Sequence, residues 1–214
     1  MKLHLGCGEN YLKGYKNIDF PPAEHTVQTN SVADEFHDIR SLKYPSGSVG
    51  EIRLHHVFEH FERFRACAFI ASWNSWLKKG GTLRIEVPDF GKTMKKNFGG
   101  FGRKKYEGVG LRHIFGSQEA AWAVHFEGYT ESRLKGLFAL FGFGDFTIER
   151  IQYKHTFNID ISGRKKKTIS RENCYRLAED YLSGYLLDSS DTEKSILKVW
   201  LGKFDEQMNF SFAG

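Results

Sequence analysis

The sequence predicts an α/β fold: a doubly wound, mostly parallel sheet with an antiparallel strand near its C-terminal end, followed by a helical extension. Three observations carry this prediction. The short segment Lys2 to Leu5 runs into the glycine turn Gly6-Cys7-Gly8, as a first strand entering a ligand loop does. The order strand, helix, strand recurs between Glu51 and Val87 at the spacing of a βαβ unit. Two strand-like segments, 146–151 and 156–161, follow each other too closely for a parallel crossover and read as an antiparallel pair.

Lys16 to Phe20 forms the second strand, closed by Asp19 and the Pro21-Pro22 break. Only about ten residues separate it from Gly6, near the minimum for a parallel crossover, so a helix there has one or two turns at most. Asp38-Ile39 follows a short strand, Tyr44-Pro45-Ser46-Gly47 is a turn, and Glu51 to Val57 is the next strand. From Glu59 to Lys79 the apolar residues Phe61, Phe64, Cys67, Ala68, Ala71 and Trp76 keep helical spacing, with Trp73 less well placed, and Lys78-Lys79-Gly80-Gly81 stops the helix. Thr82 to Val87 returns as a strand ended by Pro88. Residues 91–128 are glycine-rich, basic and aromatic with no period, a length that marks a functional or mobile segment in a compact domain. Thr130 starts a helix to Gly142, and beyond Thr168 the segments Asn173 to Tyr185 and Thr192 to Phe204 read as helices before a tail expected to fray. The expected division is a main domain at 1–168 and an extension at 169–214.

At 214 residues the chain can bury one substantial core. No apolar run is long enough for a membrane helix, and no signal-like segment follows Met1, so a mature chain beginning at Met1 in the cytoplasm is expected. Cys7, Cys67 and Cys174 are odd in number and widely spaced, which argues against a disulfide framework or a cysteine-rich zinc site. The net charge of +5 invites a nucleic-acid reading. Its basic runs, Arg103 to Lys105 and Arg164 to Lys167, are short and separate, and read as solvated faces or loops.

A glycine turn after a first strand lets backbone N–H groups approach an anionic or zwitterionic ligand. Asn10 stands where a dinucleotide fingerprint has its third glycine, which argues against NAD. Asp19, ending the second strand, can accept both hydroxyl protons of a ribose. Asp38 can accept from an adenine amino group while Ile39 packs on the ring.

These residues, in this order, carry a resemblance. Leu3-His4-Leu5-Gly6-Cys7-Gly8, Gly14-Tyr15-Lys16-Asn17-Ile18-Asp19, His56-Val57-Phe58-Glu59-His60 and Leu77-Lys78-Lys79-Gly80-Gly81-Thr82-Leu83-Arg84-Ile85-Glu86-Val87-Pro88-Asp89 resemble the small class I S-adenosylmethionine-dependent methyltransferases with a compressed first crossover. The likeness spans roughly residues 1 to 165 and is most specific in the first ninety. It implies a Rossmann-like sheet that binds S-adenosylmethionine at the carboxyl ends of its strands. Gly6, Cys7 and Gly8 would hold the methionine part, Asp19 the ribose, and Asp38 and Ile39 the adenine, with His55 and His56 lining the methyl-donor side. The implied activity is methyl transfer to a small-molecule acceptor, with a sugar or metabolite hydroxyl as the expected target. The alternatives are a non-catalytic cofactor-binding protein and an RNA-directed methyltransferase using the basic surface. Against the latter, His55-His56-Val57-Phe58 stands where amino-methylating enzymes carry Asn/Asp-Pro-Pro-aromatic.

His56-Val57-Phe58-Glu59-His60 also matches the H-x-x-E-H zinc pattern. That pattern needs both histidines on one helix, whereas here His56 closes a strand and His60 starts the helix, so no zinc site is expected from the pair. His125 and His113 lie in the irregular segment facing the cofactor and are the candidates for taking the acceptor's proton, His125 first.

Overall fold

The computed structural model describes residues 1–27, 30–98 and 104–212. Within them one sheet contains β1 (Lys2–Leu5), β2 (Lys16–Asp19), β3 (Glu35–Phe36), β4 (Val49–His55), β5 (Leu77–Pro88), β6 (Phe143–Tyr153) and β7 (Thr156–Lys165), in the order β3-β2-β1-β4-β5-β7-β6. β7 is the antiparallel member, paired with both β5 and β6; the pairings from β3 to β5 are parallel. The helices are α1 (Arg63–Trp76), α2 (Phe90–Thr93), α3 (Glu107–Phe115), α4 (Glu131–Leu140), α5 (Arg171–Ser183) and α6 (Asp191–Ser211). Among the described residues, no helix is long and apolar enough to cross a membrane.

The α1 helix stops at Trp76, three residues before the expected Lys79. Leu77 already pairs with Val49, so the Lys78 to Gly81 run falls inside β5. Every residue of α1 except Arg63 and Arg65 is buried. One side meets the sheet and the other is covered by α5 and α6, whose Cys174, Ala178, Leu182, Leu201, Phe204 and Met208 share the sheet's apolar core. The tail after Phe204 does not fray, contrary to expectation: α6 continues to Ser211, which is buried and bonded to α1. Trp76 Nε1 donates to the Ser211 carbonyl at 2.7 Å, and the Ser72 and Ser211 hydroxyls are 2.8 Å apart.

No α-helix lies between β1 and β4 among the described residues, and polar side chains occupy one face of the sheet there instead. Arg53 Nε donates to His55 Nε2 at 2.8 Å, His55 Nδ1 meets His4 Nε2 at 2.9 Å, and His4 Nδ1 reaches Asn17 Oδ1 at 3.1 Å. The donor direction is consistent only if both imidazoles are neutral: each offers one N–H and accepts once. Burial, then the nearby Arg53 charge, depress His55 to about 4. Burial also lowers His4. The unfolded chain therefore binds more protons than the native one between about pH 6.5 and 4, and native stability falls as pH drops through that window. Urea unfolding at pH 7 and 4.5 should show a loss on the order of 2 kcal/mol that is smaller in His55→Asn.

Two further differences from expectation are local. α3 interrupts the segment read as irregular; Gly108 and Gly110 within it give poor helix propensity, yet a Cβ on Gly110 would stand 2.8 Å from Asn97 Cβ. In the Arg164 to Lys167 run, Lys165 turns inward and donates to the Leu77 carbonyl at 2.7 Å, so that run is not a solvated face throughout. In the other basic run, Arg103 lies outside the described residues.

Candidate functional site

Strand order reverses between β1 and β4, and ligands of open α/β sheets bind at the carboxyl ends of strands flanking such a reversal. Gly6 leaves β1 there with φ +67°, and its amide donates to the Ile18 carbonyl at 2.8 Å. A Cβ on Gly6 would lie 2.4 Å from Val57 Cγ2, on the loop after β4, so glycine is required by both backbone and space. Gly6→Ala is expected to cost about 2 kcal/mol or more in unfolding experiments, with partial rescue by Val57→Ala, because the clash is relieved and the backbone strain is not.

Asp19 ends β2 and is buried. Its Oδ2 accepts from the Gly8 amide at 2.6 Å and its Oδ1 from the Phe20 amide at 2.8 Å. The carboxylate thus shapes the glycine turn; Oδ2 also accepts weakly from the Cys7 thiol at 3.9 Å, and Oδ1 keeps a free lone pair. His25 Nε2 lies 3.8 Å from Asp19 Oδ1, buried and without a hydrogen-bond partner. The buried Cys7 thiol is pushed up to about 12, by burial first and then by Asp19, and is an inert wall rather than a nucleophile. Asp38 follows β3, where its side chain accepts from the Arg40 amide at 2.8 Å and pairs with the Arg40 guanidinium; Ile39 is buried in the core. The Asp38 carboxylate is therefore partly spent on its own turn.

At the end of β4 the two neighbouring histidines part. His55 spends both ring nitrogens on the polar ladder with His4 and Arg53. His56 adopts φ +52° and sits between two carboxylates, with Nδ1 3.3 Å from Glu59 Oε1 and Nε2 3.4 Å from Glu86 Oε1. Desolvation opposes its protonation, but the hydrogen bonds and charges of Glu59 and Glu86 outweigh it and raise its pKa. Glu59 itself is buried; burial would raise its carboxyl, and the surrounding imidazoles, His56 foremost, lower it.

The wall opposite is built by the segment after α2. His113, Phe90, Pro88, His125 and Glu127 line a shallow recess beside the carboxyl end of β5. His113 Nε2 donates to the Phe157 carbonyl at 2.9 Å, which fixes its ring. His125 is turned toward Glu59, its Nε2 3.9 Å from Oε1, and burial lowers its pKa so that the ring is neutral at pH 7. The structure thus brings His125 and His113 to one wall. It also adds Glu59, His60 and Glu127, which sequence reasoning did not place in the site. The only sequence signal for the first two was the H-x-x-E-H run.

No protein-family model matches the chain, and no curated protein matches it significantly in sequence. Solved structures do match. An S-adenosylmethionine-dependent methyltransferase of Thermotoga maritima is 15% identical, covering 77% of this chain and 82% of its own, with TM-score 0.51. A Burkholderia thailandensis 1,6-didemethyltoxoflavin-N1-methyltransferase, solved with its substrate and S-adenosylhomocysteine, is 12% identical over 78% of this chain and 71% of its own, with TM-score 0.50. Human N-acetylserotonin methyltransferase in complex with S-adenosylmethionine is 16% identical over 78% of this chain and 47% of its own, also at 0.50. The chain has the fold of the class I S-adenosylmethionine-dependent methyltransferases.

Proposed function

We propose that this protein transfers a methyl group from S-adenosylmethionine to a small-molecule acceptor, on a sugar or metabolite hydroxyl. The observation that carries the reading is the convergence of the Gly6-Cys7-Gly8 turn and the buried Asp19 carboxylate at the strand-order reversal. The residues fit the cofactor. Asp19 Oδ1 has a lone pair free for one ribose hydroxyl, and the long Cys7 thiol contact on Oδ2 is weak enough for a second hydroxyl to displace. The orphaned His25 Nε2 beside Oδ1 lacks the partner a ribose oxygen would supply. The glycine turn receives the methionine part, and Asp38, Ile39 and His56 complete the proposed binding set, with His55 behind them.

When bound, the cofactor supplies an electrophilic methyl group on a sulfonium. Methylation of a hydroxyl would exchange its O–H bond for O–CH3, leaving one proton for the protein's own residues to take. His125 stands at the recess with a neutral ring and is proposed to take that proton; His113, held by Phe157, orients the acceptor. Phe90 helps exclude water from the recess. The RNA-directed alternative is weakened by the inward turn of Lys165, which breaks the longer basic run.

Calorimetry on the folded protein is expected to show binding of both S-adenosylmethionine and its demethylated product. Binding of neither would end the proposal. Mass spectrometry of a metabolite extract incubated with protein and methyl-labelled cofactor would then identify the acceptor.

A further inference from the structure

The turn after β4 holds a group that methyl transfer does not require. Glu59 is 1% exposed; its Oε1 pairs with the His56 ring at 3.3 Å, while its Oε2 has no hydrogen-bond partner among the described residues. A buried carboxylate is retained when it is paired or when it ligates a metal, and the His56 pair engages only one of its two oxygens. Around it, one ligand atom from each of Glu59, His60 and His125 lies within 4.8 Å of the other two. The His60 imidazole is oriented from behind: its Nδ1 donates to the Val124 carbonyl at 3.1 Å, which leaves the Nε2 lone pair free. The two rings meet edge to face with centroids 4.6 Å apart. A backbone bond fixing the non-ligating nitrogen is the usual outer support of a metal-binding histidine.

We propose that Glu59, His60 and His125 bind one divalent transition-metal ion of the zinc, manganese or iron(II) class. Two imidazoles and a single carboxylate suit such ions, whereas calcium and magnesium favour oxygen-only shells. A tetrahedral ion about 2.1 Å from each ligand would hold the ligand atoms about 3.4 Å apart, so the group closes by about an ångström on loading. Three protein ligands leave a position open. Because His125 also lines the recess, that position faces the acceptor's side, where an oxygen of the acceptor can complete the shell. This last step rests on the methyl-transfer reading; the binding itself does not. With the ion in place His125 is a ligand, and the ion rather than a free imidazole acidifies the acceptor's hydroxyl. The H-x-x-E-H run contributes through Glu59 and His60, with the second imidazole arriving from His125, not from His56.

The test uses full-length protein purified without a histidine tag and stripped with a chelator. Titration with Co2+, followed by visible absorption, is expected to saturate at one equivalent and to be reversed by Zn2+. Glu59→Gln and His60→Ala should each weaken binding on the order of a hundredfold, while the exposed His37→Ala leaves it unchanged. The melting temperature of each metal-free variant checks that it is folded. Absence of saturable Co2+ binding by the folded wild type overturns the proposal, as does wild-type affinity in both ligand variants. Calorimetry with S-adenosylmethionine on the same stripped sample separates the two readings, since cofactor binding without Co2+ binding removes only the metal, and the reverse removes only the methyl-transfer reading.

Discussion

His125→Ala is expected to leave S-adenosylmethionine affinity near that of the wild type and to lower turnover roughly a hundredfold to ten-thousandfold once an acceptor is in hand. The asymmetry follows from geometry. The cofactor contacts proposed here come from the carboxyl ends of β1 to β4, whereas His125 lines the recess beside the end of β5, facing Glu59. A ring kept neutral by burial can accept a proton or ligate an ion, and alanine removes both capacities. His113→Ala should behave differently. With its Nε2 committed to the Phe157 carbonyl, its loss should mainly raise KM for the acceptor. Turnover by His125→Ala equal to the wild type would reduce that histidine to a wall residue. If His113→Ala alone abolished turnover, the two roles would have to be exchanged.

The elements that sequence patterns marked are those whose signals are local. Gly6, Asp19 and Thr130 stand at strand and helix ends where backbone geometry or capping selects the residue type. Periodicity misled at α1, because a helix covered on both sides has no polar face to time its end, and Leu77 is claimed by pairing with Val49. The C-terminal tail looked frayed because its anchoring depends on Ser72 and Trp76, far away in sequence. The same holds within the site. Gly8 and Asp19 are close in sequence and were legible together, while Glu59 and His125 meet only through the path of the segment after α2. His55 was legible as a strand-end residue, but its engagement with His4 and Arg53 depends on register across two strands.

Asp19→Ala is expected to weaken binding of S-adenosylmethionine and S-adenosylhomocysteine alike, on the order of a hundredfold each by calorimetry. Equal losses are the informative feature, because the two ligands share the ribose and differ at sulfur, which Asp19 is not proposed to touch. Two effects add in the variant. The ribose hydroxyls lose a charged acceptor, and the Gly8 and Phe20 amides, now held at 2.6 and 2.8 Å by the carboxylate, lose the group that sets the turn's shape. Asp19→Asn separates them: its single amide oxygen can accept from one backbone amide, while its NH2 group faces the other donor, so affinity should recover only in part. Thermal melting of both variants without ligand measures the turn's own contribution, expected at about 1 kcal/mol per lost amide bond. If Asp19→Ala binds both ligands as tightly as the wild type while its melting temperature falls, Asp19 serves the turn alone and the ribose must be held elsewhere.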